Sequence, residues 1–151
     1  MSGEVEEIVD DYWQWGKADK GPRILHSMIR IKDVDKSLKF YCEGLGMNLL
    51  DRHDFPHANF SILFLSYAGY KDGPAALELT YNWGREEDYT HGSGYGHIAI
   101  GVPDIEAVYE RLAKFGGEQV TAPKKMVPGA PKLAFVKDPD GYAIELIQTA
   151  V

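Results

Sequence analysis

Two stretches decide the fold: His26–Gly46, H-S-M-I-R-I-K-D-V-D-K-S-L-K-F-Y-C-E-G-L-G, and His97–Gly117, H-I-A-I-G-V-P-D-I-E-A-V-Y-E-R-L-A-K-F-G-G. They begin 97 − 26 = 71 positions apart and stay in register. Histidine to aspartate is seven positions in each, ending at Asp33 and Asp104, and Gly46 and Gly117 each fall twenty positions after their histidine. Such self-similarity is the mark of one supersecondary unit built twice. In each copy an alternating β-branched run (His26 to Ile31; His97 to Val102) reads as a strand. The aspartate then suits a helix N-cap, and apolar residues recur at helical spacing: Leu38, Tyr41 and Leu45, then Val108, Leu112 and Phe115. Gly44 or Gly46, and Gly116-Gly117, stop those helices.

Working outward, strand-like runs follow each helix: Ser61 to Tyr67 and Ala75 to Tyr81 in the first copy, Leu133 to Val136 and Tyr142 to Gln148 in the second. Lys137-Asp138-Pro139-Asp140-Gly141 reads as a hairpin turn, with Gly141 free to take positive φ. The plan is strand, helix, then several strands, twice. The chain divides into an N-terminal arm (1–22) carrying Tyr12, Trp13 and Trp15, a first module (23–83), a linker (84–94) and a second module (95–149). Residues 121–132, T-A-P-K-K-M-V-P-G-A-P-K, hold three prolines and a glycine and are expected to form a loop.

Composition narrows the function classes. The 151 residues suffice for one buried domain or two small fused modules, and 44% hydrophobic with 26% charged residues argues against disorder. Sixteen Lys and Arg against 23 Asp and Glu leave a net charge of −7, which does not suit a phosphate-neutralising surface, so no nucleic-acid partner is expected. No apolar run approaches the length of a bilayer span, and the first residues, M-S-G-E-V-E-E, are acidic where a secretory leader would be basic. Cys42 is the only cysteine, so no intrachain disulfide can form and a reducing cytoplasm is expected. Cys42 lies in the amphipathic helix and reads as a packed thiol.

The repeat also carries chemistry. Each copy opens its first strand with a histidine and has a glutamate in its last: Glu78 in A-A-L-E-L-T-Y, Glu145 in Y-A-I-E-L-I-Q. The separations are 78 − 26 = 52 and 145 − 97 = 48. A carboxylate among apolar residues is costly unless a positive charge meets it. Two neutral imidazoles and two carboxylates suit a borderline divalent cation such as nickel, cobalt, zinc or iron. One histidine at a strand start is usually a hydrogen-bonded structural residue; the duplicated pair is what points to ligation. Other signals are weaker. His53 and His57 flank Pro56, which disfavours a helical zinc site, and H-D-F-P-H-A-N is expected to be a solvated loop. G-S-G-Y-G at 92–96 precedes a strand instead of following one, so it is a turn. Trp83 reads as packing, and Lys124 and Lys125 as solvated loop charges.

At these residues the sequence resembles the glyoxalase I (lactoylglutathione lyase) family of the vicinal oxygen chelate superfamily. The matching stretches are L-H-S-M-I-R, S-L-K-F-Y, L-G-M-N-L-L, L-E-L-T-Y-N-W-G, Y-G-H-I-A-I and D-P-D-G-Y-A-I-E-L-I, spanning roughly residues 23–149. The resemblance implies an α+β fold of two tandem βαβββ modules whose curved mixed sheets surround one divalent metal ion. It implies isomerisation of the methylglyoxal–glutathione hemithioacetal to S-lactoylglutathione, by metal-assisted proton transfer through an enediolate. His26, Glu78, His97 and Glu145 match the four ligands, Glu145 is the expected base with Glu78 as its near-symmetric partner, and Arg30 and Asn82 match residues holding the γ-glutamyl end of glutathione. The family forms a homodimer with its sites at the interface. His26 at the first ligand position, where the zinc-preferring branch has glutamine, suggests nickel or cobalt over zinc. The arm at 1–22 and the loop at 121–132 depart from the bacterial pattern, leaving contacts from Lys124 or Lys125 open. Two rivals share the fold: another superfamily metalloenzyme (an epimerase or extradiol dioxygenase) and a non-enzymatic small-molecule-binding module. Glu78 followed by T-Y-N-W-G weighs against the first, and four intact ligand positions against the second.

Overall fold

The computed structural model describes residues 22–69 and 75–149, so the expected arm with Tyr12, Trp13 and Trp15 lies outside the described residues. Two four-stranded sheets form, one per repeat. The first holds β1 (His26–Ile31), β2 (Asn48–Phe55), β3 (Phe60–Ser66) and β4 (Ala76–Asn82) in the order β1-β4-β3-β2. The second holds β5 (Ile98–Val102), β6 (Glu118–Lys124), β7 (Leu133–Lys137) and β8 (Ala143–Gln148) in the order β5-β8-β7-β6. The second sheet is mixed, since β5 runs parallel to β8 while β8, β7 and β6 pair antiparallel. The expected α+β architecture is what forms.

Between the strands lie α1 (Val34–Leu38, widening into i→i+5 turns over Lys39–Gly44) and α2 (Ile105–Lys114). Both expected caps are present: Asp33 Oδ1 accepts from Lys36 N and Asp104 Oδ1 from Ala107 N. Leu45 N reaches back to Phe40 O at 3.0 Å, the bond of the wide turn. Gly46 and Gly116 take positive φ and end the helices as their positions suggest. α2 buries Ile105, Val108 and Leu112, spaced three and then four apart; each such side chain contributes about 1.5–3 kcal/mol.

The described residues fall into two compact units. One takes the chain up to Arg30 with Met47–Arg85; the other takes Ile31–Gly46 with Glu86 onward. The helix of the first repeat thus belongs with the sheet of the second. In that unit Phe40 and Tyr41 from α1, and Ile105 and Leu112 from α2, are buried with Ala134, Val136, Ile144 and Leu146. Gly44 permits the close approach: a Cβ there would meet Leu112 Cδ2 at 2.7 Å, and its carbonyl accepts from Arg111 Nε at 2.9 Å. In the other unit β3 is buried from Ser61 to Ser66. Ile62, Phe64 and Ala76 form a cluster with Leu50, Phe55 and Phe60 against it. No helix among the described residues is long and apolar enough to cross a membrane.

Two expectations need correction. Residues 121–124 are not loop: they complete β6, at the edge of its sheet, where Pro123 removes no needed ladder bond. The loop is confined to 125–132. His53 is not in a solvated loop either. It sits within β2 opposite Ile62, with 5% of its surface exposed and Nε2 3.6 Å from Asp51 Oδ2. The expected solvated loop is confined to the turn at 56–59, where Pro56, His57, Ala58 and Asn59 are exposed.

Candidate metal centre

Strand alternation sorts each sheet into two faces. Along β1, Ile29 and Ile31 point one way, leaving His26, Met28 and Arg30 on the other face. On β4, Leu77 and Leu79 alternate with Glu78, Thr80 and Asn82. Because β4 lies between β1 and β3, Glu78 stands between His26 and Phe64, and Phe64 is its direct cross-strand partner. His26 Nε2 is 2.9 Å from Glu78 Oε1, and Thr80 Oγ1 donates to Glu78 Oε2 at 3.4 Å. The imidazole meets the Phe64 ring edge-on, centroids 5.5 Å apart at 70°.

The second unit repeats the arrangement. His97 immediately precedes β5, Glu145 lies on the neighbouring β8, and Phe135 on β7 is paired directly with Glu145. His97 Nε2 is 3.5 Å from Glu145 Oε1, and the His97 and Phe135 rings are 5.5 Å apart at 77°. Sequence reasoning missed the two phenylalanines, although the offset was there to see: 64 − 26 = 38 and 135 − 97 = 38.

Each pair suits a cation. Ligands about 2.1 Å from one metal are about 3.0 Å apart at right angles and about 3.4 Å apart at the tetrahedral angle. The observed 2.9 and 3.5 Å match the spacings that adjacent ligands of one ion would have. An imidazole N–H hydrogen-bonds a carboxylate at such distances, and the same lone pairs turn to a metal once the proton leaves. Glu78 is 7% exposed, a burial that an ionised carboxylate tolerates only with a positive partner. Among the described residues no group of three or more His, Cys, Asp or Glu side chains converges. The structure brings together two His–Glu pairs, one in each unit.

The other site residues are placed by the same alternation. Arg30 and Asn82 each stand four residues beyond a pair member on the same face of adjacent strands, Arg30 exposed and Asn82 half-buried opposite Phe60. Lys124 closes β6 and Lys125 opens the loop, both exposed.

The hairpin leading into β8 is held from α1. Gly141 takes φ 86°, as the turn requires. Tyr41 donates its hydroxyl to Asp138 Oδ2 at 2.5 Å, and Asp138 Oδ1 accepts from Asp140 N and Tyr142 N. Asp140 accepts from Lys32 N at 3.0 Å and Ser37 Oγ at 3.4 Å. Burial raises Asp138 to about 6, against the opposing pull of the Tyr41 and backbone hydrogen bonds. Burial also raises Asp140, pushes Tyr41 well above the usual phenol value, and takes Tyr95 to about 12. The strand bearing Glu145 thus starts from a turn pinned by buried polar bonds.

Residues 23–146 match the model of the Glyoxalase/Bleomycin resistance protein/Dioxygenase superfamily. A probable lactoylglutathione lyase of Synechocystis sp. is 50% identical over 127 residues, covering 84% of this chain and 95% of that protein. Glyoxalase I from Zea mays superposes with a TM-score of 0.79 at 38% identity over 85% of this chain, which matches 45% of the maize chain, about half its length. A trypanothione-dependent glyoxalase I of Leishmania major superposes with a TM-score of 0.73 at 41% identity, covering 85% of this chain and 87% of that one.

Proposed function

We propose that this chain, which belongs to the Glyoxalase/Bleomycin resistance protein/Dioxygenase superfamily, is a lactoylglutathione lyase that isomerises the methylglyoxal–glutathione hemithioacetal to S-lactoylglutathione. The observation that carries the reading is the duplicated pair, His26–Glu78 and His97–Glu145, each at the spacing of two ligands of one ion. Relatives named for this activity over nearly their whole length support the choice within the superfamily.

His26, Glu78, His97 and Glu145 would hold one divalent ion per site, nickel or cobalt in preference to zinc. Bound there, the ion supplies Lewis acidity toward the negative charge that develops on the substrate oxygens. The chain itself moves the proton. Glu145 takes it from C1 of the hemithioacetal and returns it to C2. Glu145 is chosen over Glu78 because the two carboxylates are not equally anchored. Thr80 donates to Glu78, whereas the matching position two residues beyond Glu145 is Ile147, which has no hydroxyl to give. Arg30 grips the γ-glutamyl carboxylate in a bidentate fork, and Asn82 adds hydrogen bonds beside it.

Each pair is half a site, so two chains form a homodimer in which the first pair of one chain and the second pair of its partner share an ion. The enzyme works in the cytoplasm, where glutathione is reduced. Chelated protein assayed with methylglyoxal and glutathione tests this directly: nickel or cobalt restores turnover better than zinc, and trypanothione in place of glutathione does not improve it. No turnover with any metal and either thiol would overturn the assignment. Full recovery by zinc with nickel inert would overturn the metal class.

A further inference from the structure

The two phenylalanines are the part of the duplicated arrangement to which no role has been given. His26 and Phe64 come from strands that are not neighbours; β4, carrying Glu78, runs between them. Side chains two strands apart start about 10 Å apart at the backbone, yet these rings lie 5.5 Å apart. The two side chains therefore reach toward each other across the strand that bears the glutamate. His97 and Phe135 do the same across the strand that bears Glu145, at the same 5.5 Å and with interplanar angles of 70° and 77°. Each phenylalanine is also the direct cross-strand partner of the glutamate. One ring thus bounds the histidine and stands beside the glutamate. Edge-to-face contact constrains the imidazole plane, and that plane fixes where the Nε2 lone pair points.

We propose that Phe64 and Phe135 are positioning residues that set the imidazole planes of His26 and His97, so that each histidine and its glutamate present their donor atoms to one point before an ion arrives. This rests on the reading of the two pairs as metal ligands. Without the ring wall each histidine has a wider range of orientations, and ordering it falls on the ion.

The test is nickel affinity of the full-length protein, by competition with a chromophoric chelator, alongside the melting temperature of the metal-free form. Phe135→Leu keeps an apolar side chain of similar size without the flat ring, and should bind nickel about ten-fold more weakly, the order expected when a partner that orients a ligand is lost. Phe135→Tyr keeps the ring at a half-buried position and should restore wild-type affinity. Val136→Ala changes the same strand on its opposite, fully buried face; it should lower the melting temperature and leave nickel affinity unchanged. Phe64→Leu should repeat the loss in the other unit, but Phe64 is fully buried, so Phe135 decides the matter if that variant does not fold. Wild-type affinity in Phe135→Leu, or an equal loss in Val136→Ala, overturns the positioning role. Glu145→Ala keeps the two readings apart: nickel binding undiminished there overturns the ligand assignment and the inference with it.

Discussion

Tyr41→Phe removes one hydroxyl from a side chain with no exposed surface. That hydroxyl donates to Asp138 Oδ2 at 2.5 Å, while Oδ1 accepts from Asp140 N and Tyr142 N at 2.9 Å each. A hydrogen bond to a charged group contributes about 1.5–3 kcal/mol and a neutral one about 1 kcal/mol. Which figure applies depends on pH, because burial raises Asp138 to about 6. Its folded pKa lies above the unfolded carboxylate value of about 4, so the folded state holds the proton more tightly. Stability from this group is therefore present at low pH and falls as pH rises from about 4 to about 6. The Tyr41 hydrogen bond works against that fall by favouring the ionised form. Removing it should cost about 2–3 kcal/mol at pH 7 and about 1 kcal/mol at pH 5, where the carboxyl of the variant is protonated. At roughly 2–4 °C per kcal/mol for a chain of this size, the melting temperature drops by about 4–12 °C at pH 7 and about 2–4 °C at pH 5. Thermal melts followed by circular dichroism at both pH values measure this. An equal penalty at the two pH values, or none at pH 7, would mean that the Tyr41 hydroxyl does not favour the ionised form of Asp138.

Two predictions concern the site. Glu145→Gln keeps an oxygen ligand and removes the base, so kcat should fall by about 10²-fold or more while metal analysis shows the ion retained; near-normal turnover would pass the base role to Glu78. Arg30→Ala should raise KM for the hemithioacetal with metal content unchanged, since Arg30 stands on the ligand face of β1 but four residues from His26. An unchanged KM would make Arg30 a structural residue.

What was legible in the sequence was whatever the repeat wrote twice. The offset of 71 placed both first strands, both caps and both histidines, and a glutamate recurs 52 and 48 positions after its histidine, because a repeated unit repeats its start and stop signals. Single-copy features were harder. β2, N-L-L-D-R-H-D-F, has five polar residues in eight and its end reads as loop from His53, and the burial of His53 comes from β3 beside it and not from its own neighbours in sequence. Pro123 signals a break, yet an edge strand tolerates it. Periodicity shows that α1 has an apolar face without saying which sheet receives it; the bonds from Tyr41 to Asp138 and Lys32 to Asp140 tie that segment to the second repeat across about a hundred residues of chain. Phe64 and Phe135 carry no signal in the sequence beyond their common offset from a histidine, and only the register sets each beside a glutamate.

If the two pairs are halves of one site shared between chains, mixing two inactive variants should rebuild it. One chain carries His26→Ala and Glu78→Ala; the other carries His97→Ala and Glu145→Ala. Each alone leaves every site two ligands short. With shared sites, a mixed dimer gathers all four substitutions in one site and leaves the other wild type. Random reassortment of equal amounts makes half the dimers mixed, so about a quarter of wild-type activity should return with nickel present. No recovery, with chain exchange confirmed by mass spectrometry, would contradict the account.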